Sequence, residues 1–135
     1  MKTNEFDSAY CNVKYIPEDN VVLLAWKQPS YFDNYRAPSL AMLHMLQENK
    51  DSNYVCDARH GFEDEKDDVV WGFSYLLPEM AKTTTCKHVV FIMNMENEIE
   101  EEMDMWGNEF RKYFKVARVA TYEEAVDYLK KAQDK

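Results

Sequence analysis

Tyr54-Val55-Cys56-Asp57-Ala58-Arg59-His60-Gly61 is the segment from which the architecture of this chain can be deduced. Its first three residues are apolar or β-prone, and they predict a short buried strand directly before Asp57. A polar turn, an acidic loop and a helix follow, and in open α/β sheets ligands and partners bind at the ends of such strands. The turn contains no nucleophile with an obvious base and no complete set of metal ligands. It therefore predicts a contact site rather than a reactive one.

The residues that precede this strand predict a β-hairpin. Residues 10–16 alternate between apolar and polar side chains, and residues 21–26 form an apolar run after a four-residue turn at 17–20. A tight turn makes the two strands antiparallel. We therefore expect the first strand to lie at an edge of the sheet.

Helices and strands alternate through the rest of the chain. Ser30 and Asp33 resemble a capping box, Pro38 should break or kink the helix that follows, and Pro78 should bend the next one. Alternation of this kind implies right-handed crossovers and parallel strands. The sequence predicts an α/β fold with a single mixed five-stranded sheet, mostly parallel, with an antiparallel N-terminal edge strand and about four flanking helices. Helices are expected over residues 30–50, from Asp67 to about residue 81, over 99–114 and from Thr121, with strands over 88–93 and 116–120.

Composition limits the classes of function that this chain can have. A chain of 135 residues fits one domain, here with a core over about residues 10–129, and can fold without a disulfide or a metal. Acidic residues outnumber basic ones, 25 to 16, which argues against nucleic acid or an anionic membrane as a partner. The first ten residues lack the apolar core of a signal peptide, and the longest apolar run, 21–26, is too short to span a bilayer. Three widely spaced cysteines favour reduced thiols and a cytoplasmic location.

Several phrases in the sequence resemble the STAS-like superfamily, which includes anti-sigma-factor antagonists and related small bacterial single-domain proteins. They are the run Asn20–Trp26 after a hairpin, Asp57 at the end of the third strand, the Trp71…Leu77-Pro78 pattern and the closing segment Thr121–Leu129. The resemblance covers most of the chain, from about Tyr10 to Leu129. It implies the same mixed sheet and helices.

The resemblance also implies a function and one departure from it. Signalling members carry a phosphorylatable Ser or Thr in the pattern Asp, one residue, then Ser. Here Asp57 matches the aspartate, but Arg59 occupies the place of the hydroxyl, and residues 57–68 contain no Ser or Thr. The phosphorylation switch is therefore not carried over. Lipid-binding folds of the same superfamily suggest an apolar pocket under the helices instead.

Asp57, Arg59 and His60, with Gly61 beside them and Trp71 on the next helix, are the candidate binding residues. An Asp beside an Arg and a His could hold an anion or transfer a proton. The alternative, which we favour, is that Asp57 caps the turn and Arg59 pairs with the acids at residues 63–68, because structural ion pairs are commoner than active sites. The expected contact face is this turn together with the helix over residues 69–80.

Other reactive groups are weaker candidates. Cys56 lies in a predicted buried strand, where a free thiol behaves as a small hydrophobe. The acids at 63–68 lack the spacing and central Gly of a calcium loop, and His44, His60 and His88 lack the spacing of zinc ligands. We therefore expect no catalytic residue, no metal and no cofactor.

Eight methionines leave two functions open. Most of them are expected to fill the core, but Met105 and Trp106 are adjacent and must lie about 100° apart on a helix. Exposed members of this set could contact a partner helix, a second copy of the chain or a lipid tail. The first hypothesis is a non-enzymatic interaction or regulatory module that binds a protein partner or itself. The alternative is a small-molecule or lipid-binding domain with a pocket lined by Met and aromatic residues; the residues concerned are Met42, Met45, Met93, Met95, Met103 and Met105.

Overall fold

Six strands form one sheet in the computed structural model, which describes residues 4–60, 65–93 and 100–133, without the side chains of residues 100–104 and 133. The strands lie side by side in their order along the chain. Each of the first three strands is antiparallel to its neighbour among them, and the last four strands are parallel. This is the mixed α/β sheet that the alternation predicts. The strands are β1 (Glu5–Asp7), β2 (Cys11–Ile16), β3 (Val21–Trp26), β4 (Asn53–Asp57), β5 (His88–Ile92) and β6 (Lys115–Val119).

Two expectations about the N-terminal edge are wrong. The sheet has six strands rather than five, because β1 adds to the hairpin with Phe6 opposite Val13. The first strand of the hairpin, β2, is therefore antiparallel as expected but is not at the edge. Asn12 holds the added strand in place, since its Nδ2 donates to Glu5 Oε2 at 2.9 Å and to Asp7 Oδ1 at 3.1 Å.

The helix after β3, α1 (Asp33–Glu48), differs from its prediction at both the cap and the proline. Ser30 Oγ donates to the carbonyl of Gln28, so Ser30 does not cap the helix, whose N-cap is Phe32. Pro38 lies inside the helix without ending it. Proline removes one backbone hydrogen bond, and this close to the N-terminus few bonds precede it that could be disrupted.

The second helical segment is continuous from Lys66 to Thr83 but changes its winding in the middle. It consists of α2 (Lys66–Trp71), a π-helical turn (Gly72–Leu76) and α3 (Leu77–Thr83). Pro78 lies in the first turn of α3, so the irregularity expected at Pro78 takes the form of the wider turn directly before it. Gly72 makes room there, because a Cβ on it would lie 2.6 Å from Trp106 Cη2.

The last two helices are α4 (Glu100–Phe110) and α5 (Tyr122–Gln133). Trp106 and Phe110 are buried and Met105 is 38% exposed, as their spacing predicts. Helix α5 begins after Thr121, as expected, and Thr121 caps it in the manner of a capping box, because Glu124 N–H donates to Thr121 Oγ1 at 3.1 Å.

The two faces of the sheet are covered unequally. Three helical segments pack on one face of the sheet, as right-handed crossovers between neighbouring parallel strands require. They are α1, the continuous segment from α2 to α3, and α4. Among the described helices, α5 packs on the other face, where Ala125 and Leu129 cover Val55, Val90 and Ile92. Strands β4 and β5 are consequently buried on both faces, as the continuous apolar run of β5 predicts. None of the helices in the described ranges is long and apolar enough to cross a membrane.

Candidate functional site

The carboxyl ends of the four parallel strands meet along one edge of the sheet, as expected. They end at Trp26, Asp57, Ile92 and Val119. We call this edge the carboxyl rim, and the opposite edge, where β4, β5 and β6 begin, the amino edge. The loop before α1, the turn after β4 and the start of α2 all belong to the carboxyl rim.

Asp57 and Arg59 form a closed pair at the rim. Arg59 donates from Nε to Asp57 Oδ1 at 2.9 Å and from Nη2 to Oδ2 at 2.7 Å, and its backbone N–H donates to Oδ1 at 3.1 Å. The Asp57 carboxylate raises the pKa of the Arg59 guanidinium above its usual value. Asp57 therefore caps its own turn and pairs with Arg59, whereas Glu63 and Asp64, two of the acids expected to pair with Arg59, lie outside the described residues.

His60 and Trp71 lie on either side of the acidic loop. His60 is exposed, and Gly61 lies outside the described residues, as do Glu63 and Asp64 of the acidic run. Glu65 caps α2, because its side chain accepts hydrogen bonds from the backbone N–H groups of Asp67 and Asp68. The described carboxylates of this run therefore stabilise the start of α2.

Asp68 joins two segments of the rim that are far apart in sequence. It is 3% exposed, and its carboxylate accepts the Phe32 N–H at 2.8 Å and Arg36 Nε at 2.9 Å. Phe32 has a φ of 52°, a backbone conformation that costs a non-glycine residue about 1–3 kcal/mol. The bonds to Asp68 hold the loop in that conformation. The backbone that carries the exposed Phe32 ring is in this way fixed at the rim.

An aromatic ladder supports the same region from below. The rings of Trp26 and Tyr35 stack with centroids 5.6 Å apart, Tyr35 meets Trp71 edge-on at 6.0 Å, and Trp71 meets Tyr75 at 5.8 Å. The Arg36 guanidinium lies 5.4 Å from the centroid of Trp71, within cation–π range. The ladder runs from a buried strand residue to the surface, so its outer rings are held firmly.

The outer end of this ladder is an exposed apolar surface. Phe32 is 52% exposed, Val70 59% and Tyr75 44%, and Trp71, which contacts Tyr75, is half-buried. We call these four residues the rim patch. The sequence indicated Trp71 and its helix as a contact face. It did not indicate Phe32, because the bond that places this residue comes from Asp68, 36 positions away.

The three cysteines are free and buried. Burial raises the pKa values of the Cys56 and Cys86 thiols to about 12, and that of Cys11 also rises. A thiol of this kind is almost wholly protonated at neutral pH and is a poor nucleophile. Cys56 therefore behaves as the small hydrophobe that its strand position predicts.

A cavity lies among the aromatic residues under the helices, but it is small. Its volume is about 30 Å³, enough for one water molecule, whereas ligand pockets measure about 300–1,000 Å³. No methionine of the described part lines this cavity, and Met42 and Met45 are packed in the core. Met95 and the side chain of Met103 lie outside the described part. The residues that line the cavity are Trp26, Tyr35, Ser39, Tyr54, Cys56, Leu76, Phe91, Trp106 and Phe110.

A larger opening lies at the amino edge, which the sequence did not indicate. This amino-edge groove has a volume of about 410 Å³. Its polar residues come from the starts of three strands and the turns before them, so no local motif unites them. Lys87, directly before β5, and Lys115, at the start of β6, are the signal in the sequence that could have indicated this groove. The lining residues are Asn20, Asp51, Asn53, Thr85, Lys87, His88, Lys115 and Ala132.

Comparisons with known protein families, with curated proteins and with solved structures give no match to this chain. Within residues 4–60, 65–93 and 100–133, no three His, Cys, Asp or Glu side chains are grouped in a way that could hold a metal ion. The candidate site is thus defined by its own geometry, a fixed apolar patch next to a closed Asp57–Arg59 pair at the carboxyl rim.

Proposed function

We propose that this chain is a non-enzymatic interaction or regulatory module, resembling STAS domains and acting in the bacterial cytoplasm, that binds a protein through its rim patch. The observation that carries the proposal is the exposure of Phe32, Val70 and Tyr75 on a surface that is already ordered. Aromatic residues and arginine are enriched in protein interfaces and dominate their binding energy. Arg36, stacked on Trp71, adds such an arginine to the patch.

Preorganisation supports a binding role for the patch over chance exposure. Ordering an interface side chain on binding costs about 0.5–1.5 kcal/mol, which a ring that is already held does not lose again. The Trp71 ring is held by Tyr35 and Arg36, and the backbone of Phe32 is held by Asp68. A strained backbone that the surrounding structure maintains is also a feature of functional sites.

The closed Asp57–Arg59 pair supports a contact role for the neighbouring turn rather than a catalytic one. Both carboxylate oxygens of Asp57 accept bonds from Arg59, so Asp57 has little capacity left to act as a base. The Arg59 side chain keeps 38% of its surface exposed. With the exposed His60 it gives the rim patch a polar border, as interfaces commonly have.

A pair of matched substitutions tests this function. Tyr75→Ser removes a ring of the rim patch, and Tyr113→Ser removes a ring of similar exposure, 41%, from the loop before β6 at the amino edge. Self-association is measured by sedimentation velocity over a range of concentrations, and partner binding by capture from a lysate of the organism that carries the gene. We expect Tyr75→Ser to weaken association at least about tenfold, the size of a 1.4 kcal/mol contact, and Tyr113→Ser to leave it unchanged. A strict monomer without a partner, or equal effects of the two changes, contradicts the proposal.

The alternative function is a small-molecule or lipid-binding domain with a Met- and aromatic-lined pocket. It requires the cavity among Trp26, Tyr54 and Trp106 to expand about tenfold from its 30 Å³ to reach the size of ordinary ligand sites. Native mass spectrometry of the purified protein tests it, since a co-purifying hydrophobic mass would favour this function over the first.

A further inference from the structure

The amino-edge groove has the size of a small-molecule site and a mainly polar lining. Its volume of about 410 Å³ falls within the range of known ligand pockets. It lies at the opposite edge of the sheet from the rim patch, so the two surfaces can be occupied independently. Every residue that lines it belongs to the described part of the chain.

Asn53, the first residue of β4, supplies a buried and preorganised donor. It is 3% exposed, and its Oδ1 accepts the backbone N–H groups of Lys87 at 3.2 Å and His88 at 3.0 Å. Those two bonds identify which end of the amide is oxygen, because only an oxygen can accept them. No described residue accepts a hydrogen bond from the Nδ2 of Asn53, which leaves its two hydrogens for a group in the groove that Asn53 lines.

Lys87 and Lys115 give the groove a positive charge on a chain whose net charge is −9. Lys115 N–H donates to the carbonyl of Lys87 at 2.9 Å, so the two residues are neighbours across β5 and β6. Both side chains are exposed, and among the described residues neither forms a salt bridge. Asp51 is the single carboxylate in the lining, against two ammonium groups.

The walls of the groove are held in place by hydrogen bonds that do not use its charged groups. Asp51 N–H donates to Thr85 Oγ1, which joins the turn before β4 to the loop before β5. Asn20, with a φ of 53°, accepts the Tyr15 hydroxyl at 2.7 Å. His88 is buried in the floor, where its Nδ1 lies 3.4 Å from the hydroxyl of Tyr128. The turns and strand starts around Lys87 and Lys115 are therefore held in place by hydrogen bonds.

We propose that the amino-edge groove binds a small anion, a molecule with a phosphate or carboxylate group that lies between the Lys87 and Lys115 ammonium groups and accepts a hydrogen bond from Asn53 Nδ2. Lysine suits both kinds of oxyanion as a mobile point charge. The buried amide adds a directional donor that surface lysines alone do not provide.

Amide chemical shifts recorded by NMR test the proposal at constant ionic strength, with sodium chloride as the reference salt. Inorganic phosphate and succinate are the two probes, and they distinguish a phosphate from a dicarboxylate ligand. We expect saturable shifts at Asn53, Lys87, His88 and Lys115 with at least one probe. Shifts that grow linearly without saturation, or that spread over lysines elsewhere, overturn the proposal.

Charge-matched variants separate the groove from general attraction to lysine. The double substitution K87Q/K115Q should weaken binding of that probe about tenfold, the effect of losing two exposed ion pairs, whereas K14Q/K66Q removes the same charge outside the groove and should change binding less than twofold. Asn53→Asp keeps the acceptor for both backbone N–H groups, so it should fold, but it replaces the donor with a carboxylate and should abolish binding. Equal effects of the two lysine pairs, or unchanged binding by the Asn53 variant, overturn the proposal.

Discussion

Replacing Asp68 by alanine should destabilise the protein far more than the same change at Asp67. Both residues lie in the first turn of α2, where a carboxylate gains about 0.3–1 kcal/mol from the helix dipole, so the difference between the variants removes this shared contribution. Asp67 is exposed, but Asp68 is buried and accepts charge-assisted bonds from the Phe32 N–H and Arg36 Nε.

The magnitude follows from those two bonds. A hydrogen bond to a charged group contributes about 1.5–3 kcal/mol, and loss of one partner of a buried ion pair costs about 3–5 kcal/mol. The Arg36 side chain is 33% exposed and can regain water, which lowers the estimate for Asp68→Ala to about 3 kcal/mol. With a urea m-value of about 2 kcal/mol/M, the unfolding midpoint should fall by about 1.5 M.

Urea unfolding followed by tryptophan fluorescence measures this shift, and amide hydrogen exchange of Phe32 provides a local readout. We expect Asp67→Ala to change the free energy of unfolding by less than about 1 kcal/mol. The reasoning is refuted if the two variants differ by less than about 0.5 kcal/mol, or if the Phe32 amide exchanges at the same rate in the Asp68 variant as in the parent.

Three further outcomes follow from the packing. Gly72→Ala should destabilise by about 1–3 kcal/mol in urea unfolding because its Cβ would meet the ring of Trp106, whereas Gly107→Ala, whose Cβ would lie 3.3 Å from Arg118 Nη2 and which gains helix propensity, should cost less than Gly72→Ala. Burial and two nearby lysines lower the pKa of His88 below its usual 6.5, so the unfolded chain binds more protons and stability should fall as the pH drops through 6.5, a dependence that His88→Gln should reduce in melts at two pH values. The Cys56 thiol, with its pKa raised to about 12, should be alkylated by iodoacetamide at pH 8 only after urea unfolds the chain, and rapid labelling of the folded protein would contradict its burial.

The sheet could be predicted from the sequence where hydrophobic pattern decides structure. The apolar runs of β3 and β5 indicate buried strands whichever strands lie beside them. The capping box at Thr121 is likewise local, because its hydrogen bond joins residues that are close in sequence. Strand β1 could not be predicted in this way. It consists of Glu5, Phe6 and Asp7, and it is held by Asn12 and by the Lys27–Asp7 ion pair of 2.8 Å, which become neighbours only after the hairpin has formed.

The candidate site was predicted in part for the same reason. The carboxyl rim follows from the parallel strands, and Trp71 from its place on the next helix. The N-cap of α1 was misassigned because Ser30 matches a local motif, whereas the carboxylate that holds this loop comes from Asp68. The amino-edge groove gathers residues from separate turns, so only the sheet register reveals it.

The unequal cover of the two sheet faces has a consequence for synthesis of the chain. Helix α5 follows all six strands along the chain, and among the described residues it is the helix that shields Val55, Val90 and Ile92. Until α5 has left the ribosome, the nascent sheet presents a bare aliphatic surface to the cell, the kind of surface that chaperones bind and that aggregates when left alone. A stop codon at Thr121 should therefore yield an insoluble product, even though all six strands, the last of which ends at Val119, would be present.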